Sequence, residues 1–564
     1  MAGSRSSSCF SCSLWLFPRR RSAGGTRSAA AVVGLVLVAE VATVAGTRPV
    51  LTTFPVATAV DRPGTASPAA ASGPRTALDV PPARLAAPVL VLPTRPQEGQ
   101  IQQVAPLVSA GHIADSAIVS CPATAPTVPT DYAGLSIEWS MVRYWFGTSR
   151  TSVNTSLVNI LNSLELGSNT PGVLRIGGNS QDGYRWDQTG STTGNTLFSG
   201  TINGGLVDAL FEVARRSGWK VIVGLNLRNN DPAMALSLAR YIVGQDTGGN
   251  LRAFEIGNEP NAYLTGSEYL ARYRTYVDRL NSDPATAAKP VTGPAISNNA
   301  DVTWAHDLWT IYRPTGQLLF ATWHDYANAA NLASLLQTSQ IVDYNTRIGA
   351  MDGAVGRRNH RMDEGNDTGH GGLDGVSNVL GKTAWLIDAL LDGAARGLQG
   401  YNNHSWDGYY YPADNLTSWY TPFVIRNGQA SARPGFYALA LFKYALGRRF
   451  CGVSTSNATG QLVRTWAVNN PSINKIYAYA INKGGAGKSG TVGVIAPAGH
   501  NHTGFLNIMS GPGGCYGRTT NIQGSTLPAG GSYSWTGRAL NPVPGTTRYQ
   551  FTLPECSTAL LSIP

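Results

Sequence analysis

The chain reads as an α/β protein: a (β/α)8 TIM barrel followed by a C-terminal all-β sandwich. Three observations predict this. Between residue 131 and about 445, short β-prone runs alternate with stretches whose apolar residues recur every three or four positions. The runs number eight, enough to close a barrel, and no GxGxxG or P-loop follows the first of them as a doubly wound nucleotide-binding sheet would suggest. After about residue 446 the helical period gives way to short β-prone runs separated by Gly, Asn and Pro.

Taken in order, residues 1–46 carry a basic stretch through Arg19-Arg20-Arg21, then an apolar run from Ala29 to Val44 with small residues at Ala42, Ala45 and Gly46. This is expected to be a signal peptide, with a signal anchor as the alternative; Glu40 interrupts the run, which is short for a membrane span. Residues 47–105 are rich in Ala, Pro, Thr and Val without a sustained period, as in a disordered linker. The barrel is assigned to 106–445, with 106–130 able to join the later β-domain instead. Its strands are expected at Ala133–Trp139, Val173–Gly177, Lys220–Leu227, Leu251–Gly257, Pro290–Ile296, Leu318–Trp323, Arg357–Asp363 and Gly397–Asn402. Helices are expected at Leu206–Ser217, Ser267–Leu280 and Val376–Ala394. The sandwich, 446–564, draws on Leu462–Val468, Lys475–Ala480, Thr491–Ile495 and Tyr549–Leu553.

Charge and composition exclude some functions. Five arginines against Glu40 put +4 of the formal +10 into the first 46 residues and leave +6 for the rest, with no long Lys/Arg run, so nucleic acid is not an expected partner. Only 13% charged residues beside 13 Trp and 23 Tyr suits a secreted protein that handles carbohydrate. Nothing after the leader is apolar enough to span, so no stable membrane partner is expected unless the leader is retained as an anchor. Cys121, Cys451, Cys515 and Cys556 lie beyond the leader, and an even number in a secreted chain predicts two disulfides of open pairing. Glycosylation sequons stand at Asn154, Asn366, Asn403, Asn415, Asn457 and Asn501, although Asn366 and Asn403 fall in motifs too enclosed for a glycan.

The stretch Phe254-Glu255-Ile256-Gly257-Asn258-Glu259-Pro260 is an apolar run that ends in an Asn-Glu pair stopped by proline. Proline biases the preceding residue toward extended geometry, so Glu259 is expected at the exit of strand four, on the rim where barrels build active sites. A lone Asn-Glu-Pro can equally cap a helix. The second carboxylate, Glu364, 105 residues later in Arg361-Met362-Asp363-Glu364-Gly365-Asn366, favours the catalytic reading. Hydrolysis of a glycosidic bond with retention needs one carboxylic acid to protonate the leaving oxygen and one carboxylate to attack the anomeric carbon, about 5 to 5.5 Å apart. Strands four and seven of a closed barrel can bring such residues together. Glu259 is assigned as acid/base and Glu364 as nucleophile.

Gly134-Leu135-Ser136-Ile137-Glu138, Leu174-Arg175-Ile176-Gly177-Gly178-Asn179-Ser180, Ile256-Gly257-Asn258-Glu259-Pro260, His324-Asp325-Tyr326, and Glu364 followed by Gly371-Gly372 and Val376-Ser377 resemble, in order and spacing, glycoside hydrolase family 79. That family contains β-glucuronidases and heparanase. The resemblance covers about residues 106–564 and implies a retaining hydrolase of β-linked glucuronic acid, with a glucuronic-acid-containing glycan or glucuronide as partner. It implies that Asn258 bonds the sugar's 2-hydroxyl and that the Gly371-Gly372 amides with Tyr411 receive the uronate carboxylate. Amides in a glycine turn can form an anion-accepting concavity. Tyr326 is expected to hold Glu364 in orientation, Arg175 to brace the carboxylates with His324 in support, and Glu138 and Asn179 to contact sugar or hold their own loops. His404 reads as a packed rim residue, and Tyr409-Tyr410-Tyr411 as a sugar platform or plain core. No cofactor is expected, nor a metal, since His324, His360, His370 and His404 lack a metal-ligand spacing.

The loop after Glu364 departs from the family in carrying Asp367, an added carboxylate beside a site meant for an anionic sugar. Two other functions compete with an exo-β-glucuronidase: a heparanase-like endo-enzyme with an open cleft, and a catalytically silent carbohydrate-binding homologue. Oligomeric state is not readable from the chain.

Overall fold

The computed structural model describes residues 113–564 apart from 168, 298–300 and 458–462. The expected signal segment (1–46) and linker (47–105) lie outside the described residues.

Eight parallel strands close a barrel: Ala133–Glu138, Val173–Gly177, Lys220–Leu225, Leu251–Ile256, Val291–Ile296, Leu318–Tyr326, His360–Asn366 and Tyr401–Ser405, the last pairing with the first. Strands two, five, seven and eight are buried at every residue, as expected of parallel strands covered by helices outside and packed side chains inside. Val173, Ile222 and Phe320 form a small apolar cluster of their own. Buried Arg361 donates from Nε to Asn402 Oδ1 at 2.6 Å and from its two terminal nitrogens to the carbonyls of Asp131 and Tyr132 at 3.2 and 3.3 Å. Higher up the same interior turns polar, with Arg175, Glu255 and Asp363 each wholly buried. Those charges stand on the strands that deliver the candidate site.

Two strands sit later than their sequence expectation. Strand seven starts at His360 rather than Arg357, because Gly356 and Arg358 take left-handed φ values of +87° and +66° and turn the chain first. Strand eight starts at Tyr401 rather than Gly397, because Gly397, at φ +109°, ends the helix Leu380–Arg396 by donating to the carbonyls of Gly393 and Ala394. Glu364 therefore lies within strand seven, opposite His324 of strand six, rather than just after it. Glu259 is displaced the other way. Strand four stops at Ile256, Gly257 turns at φ +86°, and Glu259 itself is left-handed (φ +43°, ψ +50°) rather than extended. Its N–H donates to Ala295 O at 3.0 Å, within the last two residues of strand five, and its carbonyl accepts from Ala262 at 2.9 Å. Those two bonds outweigh the bias of Pro260, and a non-glycine residue held in this region is a strained position of the kind that gathers at functional sites.

Among the described residues, ten further strands join in one β structure that folds over itself, while Tyr184–Trp186 with Gly200–Ile202 and Phe423–Arg426 with Gln429–Ala432 form two small two-stranded sheets. Arg449–Asn457 makes the corner: residues 449–451 pair with Val463–Asn470, while 452–457 pair with Ile113–Ser120, which also runs parallel to Gly490–Ile495. Val119, Ala478, Val492, Val494, Tyr549, Phe551 and Leu561 fill the space between the layers. On Lys475–Asn482, Ile476, Ala478 and Ala480 face this inner core, while Tyr477, Tyr479 and Ile481 belong to the core shared with the barrel. Period-two alternation lets one strand serve both. The helix Leu380–Arg396 is buried from Leu380 to Ala394, and its Asp388 accepts bonds from Trp466 Nε1 and Lys483 Nζ, both at 2.9 Å, beside Arg464 at 3.0 Å.

Among the described residues the cysteines pair as Cys121–Cys451, spanning 330 residues, and Cys515–Cys556, spanning 41. Loop closure in the unfolded chain makes the longer link worth about 2 kcal/mol more. Under the same oxidising conditions, Cys121→Ser/Cys451→Ser is expected to lower the melting temperature by more than Cys515→Ser/Cys556→Ser, read by differential scanning calorimetry.

Candidate active site

Strands one, two, four, six, seven and eight deliver the polar side chains that meet at the C-terminal mouth of the barrel. Glu364 is at their centre and only 6% exposed. Arg175 Nη1 donates to its Oε2 at 2.7 Å, and the Tyr326 hydroxyl donates to Oε1 at 2.7 Å. His404 Nδ1 lies 3.5 Å from Oε2, and His324 Nδ1 lies 4.0 Å from Oε1. Burial alone would push this carboxyl up; His404, His324 and Arg175, with the Tyr326 hydroxyl, outweigh it and bring the pKa down to about 2.

Arg175 is the hub. Besides Glu364 it donates from Nε to Glu255 Oε2 at 2.7 Å and from Nη2 to Asn258 Oδ1 at 2.8 Å. Burial works against its charge, but Glu255, Asp363 and Glu364 together hold it more firmly protonated than usual. Behind it, both Asp363 oxygens and Glu255 Oε1 lack a fixed donor, which leaves the two carboxyls to share a proton. Burial, then the charge of Glu255, push the Asp363 pKa well above the usual carboxylate range. Glu255 is lowered: burial raises it, and the Arg175 charge leads the effects that reverse this. A proton on Asp363 bonded to ionised Glu255 satisfies both.

Glu259 is the most exposed of these carboxylates, its side chain 27% accessible, and its Oε1 is 3.0 Å from His324 Nδ1. His324 Nε2 lies 3.5 Å from Arg175 Nη2 and 3.6 Å from Asp363 Oδ1, so the ring bridges Glu259 to the charges beneath it. One oxygen each from Glu259 and Glu364 and one ring nitrogen of His324 lie within 4.8 Å of one another. Such a set could hold a cation, which spacing in the sequence did not suggest. The charge of Glu364, however, is already met by Arg175.

A cavity of about 500 Å³ opens over these groups. Glu138, Asn179, Tyr326, Glu259, Glu364, His404 and Tyr420 line it. Glu138 accepts from the backbone N–H of Asn179 (3.0 Å) and Ser180 (2.8 Å) and from the Ser180 hydroxyl, so it is anchored as well as facing the cavity. Asn258 is buried, its Nδ2 3.4 Å from Asn179 Oδ1. Tyr326, Arg175 and His324 thus converge with the two glutamates.

Gly371, Gly372 and Tyr411 are not brought to this cavity. The Gly372 N–H closes a turn onto Gly369 O at 3.0 Å, and Gly371 O accepts from Trp419 and Tyr420. Both glycines have positive φ, and a Cβ on either would meet atoms within 2.5 Å, so their freedom is spent on packing the wall behind Tyr420. The Tyr411 hydroxyl donates to Ser140 O at 2.8 Å, in the core. Asp367 also faces away, wholly buried 3.5 Å from Lys382 Nζ, so its charge is balanced outside the cavity. Asn366 and Asn403 are buried, as the sequence reading expected of those two sequons.

Glu255, Asp363 and the residues of the mouth join the site without having been expected there from the sequence. A charge within the apolar run Phe254-Glu255-Ile256 was the available signal for the first. At the mouth, Phe198 and Leu416, 38% and 40% exposed, line the cavity with Trp406 from the loops after strands two and eight and make that wall apolar, while Ser297 and Asn328 line it from the loops after strands five and six. The Phe198 and Leu416 loops are fastened by the Leu197 N–H, which donates to Asp414 Oδ2 at 3.1 Å.

No protein-family model and no curated protein matches the chain. Solved structures do. A 4-O-α-L-rhamnosyl-β-D-glucuronidase from Fusarium oxysporum 12S, solved with Rha-GlcA, shares 18% identity over 79% of this chain and 99% of its own, with a TM-score of 0.62. A family 51 arabinofuranosidase from Xanthomonas axonopodis pv. citri shares 15% identity over 80% and 100%, TM-score 0.62. A bifunctional glucanase-xylanase from a metagenome library shares 13% over 80% and 99%, TM-score 0.54. These structural neighbours are glycoside hydrolases, and what the chain shares with them is the (β/α)8 barrel with its β-domain.

Proposed function

We propose that the chain is a retaining glycoside hydrolase that removes a terminal sugar, with Glu259 as acid/base and Glu364 as nucleophile. The observation that carries this is the gap between them. Carboxylate oxygens within 4.8 Å fit the about 5 to 5.5 Å of a double displacement better than the roughly 6.5 to 9.5 Å that seats a water. Glu364, ionised and gripped from the side away from solvent, suits attack on the anomeric carbon. Glu259, more exposed, suits delivery of a proton to a departing oxygen. The wall of Phe198, Trp406 and Leu416, on the loops after strands two and eight, favours exo over endo action.

The sugar proposed is β-linked glucuronic acid, at a glycan end or in a small glucuronide. The motif resemblance supports it, as does the fold shared with a β-glucuronidase. A second reading, a neutral sugar, rests on one observation: among the described residues the cavity lining contains no Lys or Arg, and its cationic candidates are His370 and His404. Two disulfides fit the secreted location this reading carries, and among the described residues no helix is long and apolar enough to cross a membrane.

The test is turnover of aryl β-glucuronide, β-xyloside and α-L-arabinofuranoside, with the anomer released first followed by ¹H NMR. Retention on the β-glucuronide is the expected result. First release of the inverted anomer sinks the mechanism, and turnover confined to a neutral glycoside transfers the substrate to the second reading.

A further inference from the structure

We propose that His404 is a positioning residue for Glu364: an imidazolium locked between the anchored carboxylate of Glu138 and Glu364, which together with Arg175, and with His324 4.0 Å away on the other oxygen, keeps the nucleophile ionised and fixed. This rests on the catalytic assignment of Glu364 above.

His404 is 3% exposed, on strand eight between strands seven and one. Its Nε2 lies 3.5 Å from Glu138 Oε1, and its Nδ1 lies 3.5 Å from Glu364 Oε2 and 3.0 Å from Ser136 Oγ. A neutral imidazole carries one proton and must aim the other nitrogen's lone pair at something. Aimed along Nε2 it meets the Glu138 carboxylate; aimed along Nδ1 it meets Glu364, with the Ser136 hydroxyl as its one possible donor. Only the doubly protonated ring gives both carboxylates a donor. The other charged group near it is Arg175, which shares Ser136 Oγ at 3.2 Å and opposes the charge; the ring of Tyr420 packs at its edge, 5.9 Å between centroids. Burial lowers the proton affinity of His404, but Glu364 and Glu138 reverse this and raise its pKa above the ordinary value.

The result is a row of alternating charge running from the cavity lining into the barrel: Glu138, His404, Glu364, Arg175, Glu255. Each cation holding the nucleophile is balanced on its far side by a carboxylate. Glu138 is itself held by two backbone N–H groups, so it cannot swing toward the substrate without giving up three donors. Its part in the chemistry is exerted through His404.

The test is the pH dependence of kcat/KM for an aryl glycoside that the wild type turns over, in wild type, His404→Gln, Glu138→Gln and the double variant. Removing the cation is expected to move the acid limb up by about one to three units, the size of a lost opposite charge. Glu138→Gln should move it in the same direction, and the double variant no further than His404→Gln alone. A drop in rate of equal size at all pH values in His404→Gln, with the acid limb in place, overturns the proposal, since that is what loss of packing alone would give. Independently of turnover, the Glu364 carboxyl can be titrated by ¹³C NMR in Glu-labelled protein, its signal assigned with Glu364→Gln. An upward shift in His404→Gln supports the proposal and an unmoved midpoint ends it, even if no glycoside is hydrolysed and the hydrolase reading has failed.

Discussion

Glu364→Gln is expected to lower kcat/KM on the preferred aryl glycoside by about 10⁴-fold or more, the order seen when a nucleophile is removed from a preorganised site. The amide cannot form the ester, and it offers Arg175 and His404 no charge. Because that leaves two buried cations short of a partner, the variant should also melt at a lower temperature than wild type. Glu364→Asp separates the two effects. It keeps the charge and withdraws it by one methylene, so it should recover most of the melting temperature and little of the rate. Residual activity of Glu364→Gln within tenfold of wild type would remove Glu364 from the role. In the wild type, a carboxyl whose pKa is lowered to about 2 stays ionised through the mildly acidic range. Its ion-pair contribution to stability is present above the ordinary carboxylate pKa and is lost as pH falls through the folded value near 2.

The second large effect belongs to Glu259→Gln, and its size should depend on the leaving group. With a poor leaving group the loss is expected to be about 10² to 10⁴-fold, the worth of a general acid. With a dinitrophenyl aglycone, which departs without help, glycosylation should be nearly unimpaired and the intermediate should accumulate. Azide needs no base to attack that intermediate, so added azide should restore turnover and yield a glycosyl azide of retained configuration. Equal losses across leaving groups would show that Glu259 is not the proton donor. The exposed side chain and its 3.0 Å contact with His324 predict that the substitution leaves the fold intact.

Much of the barrel was legible because parallel strands covered on both faces are written as short apolar runs. All eight were found, and the errors fell where backbone conformation decides. Gly397 could have been recognised as a helix stop, since glycine is favoured there. Arg358 in a left-handed turn could not, because nothing in an arginine announces positive φ. The two glutamates were legible as acids at strand ends. Glu255 and Asp363 were partly so, as charges where the pattern calls for apolar residues. The Phe198–Leu416 wall was not legible, since the bond that fastens its loops joins residues 217 apart. Gly371, Gly372 and Tyr411 were placed by motif position alone, and position does not say which way an amide points.

The helix Leu380–Arg396 has hold of both halves. Near its start, Lys382 Nζ donates to Asn366 Oδ1 and Tyr420 O, both at 2.7 Å, directly behind the strand that carries Glu364. Two turns on, Asp388 is neutralised by Lys483 and Arg464 from the β structure. A barrel cut free near residue 445 would strand that aspartate in apolar surroundings and unseat the rod on which the strand carrying Glu364 leans. The appendage is thus a foundation stone: a foreign module set in its place would have to bring its own basic residue to the same spot to keep that strand seated.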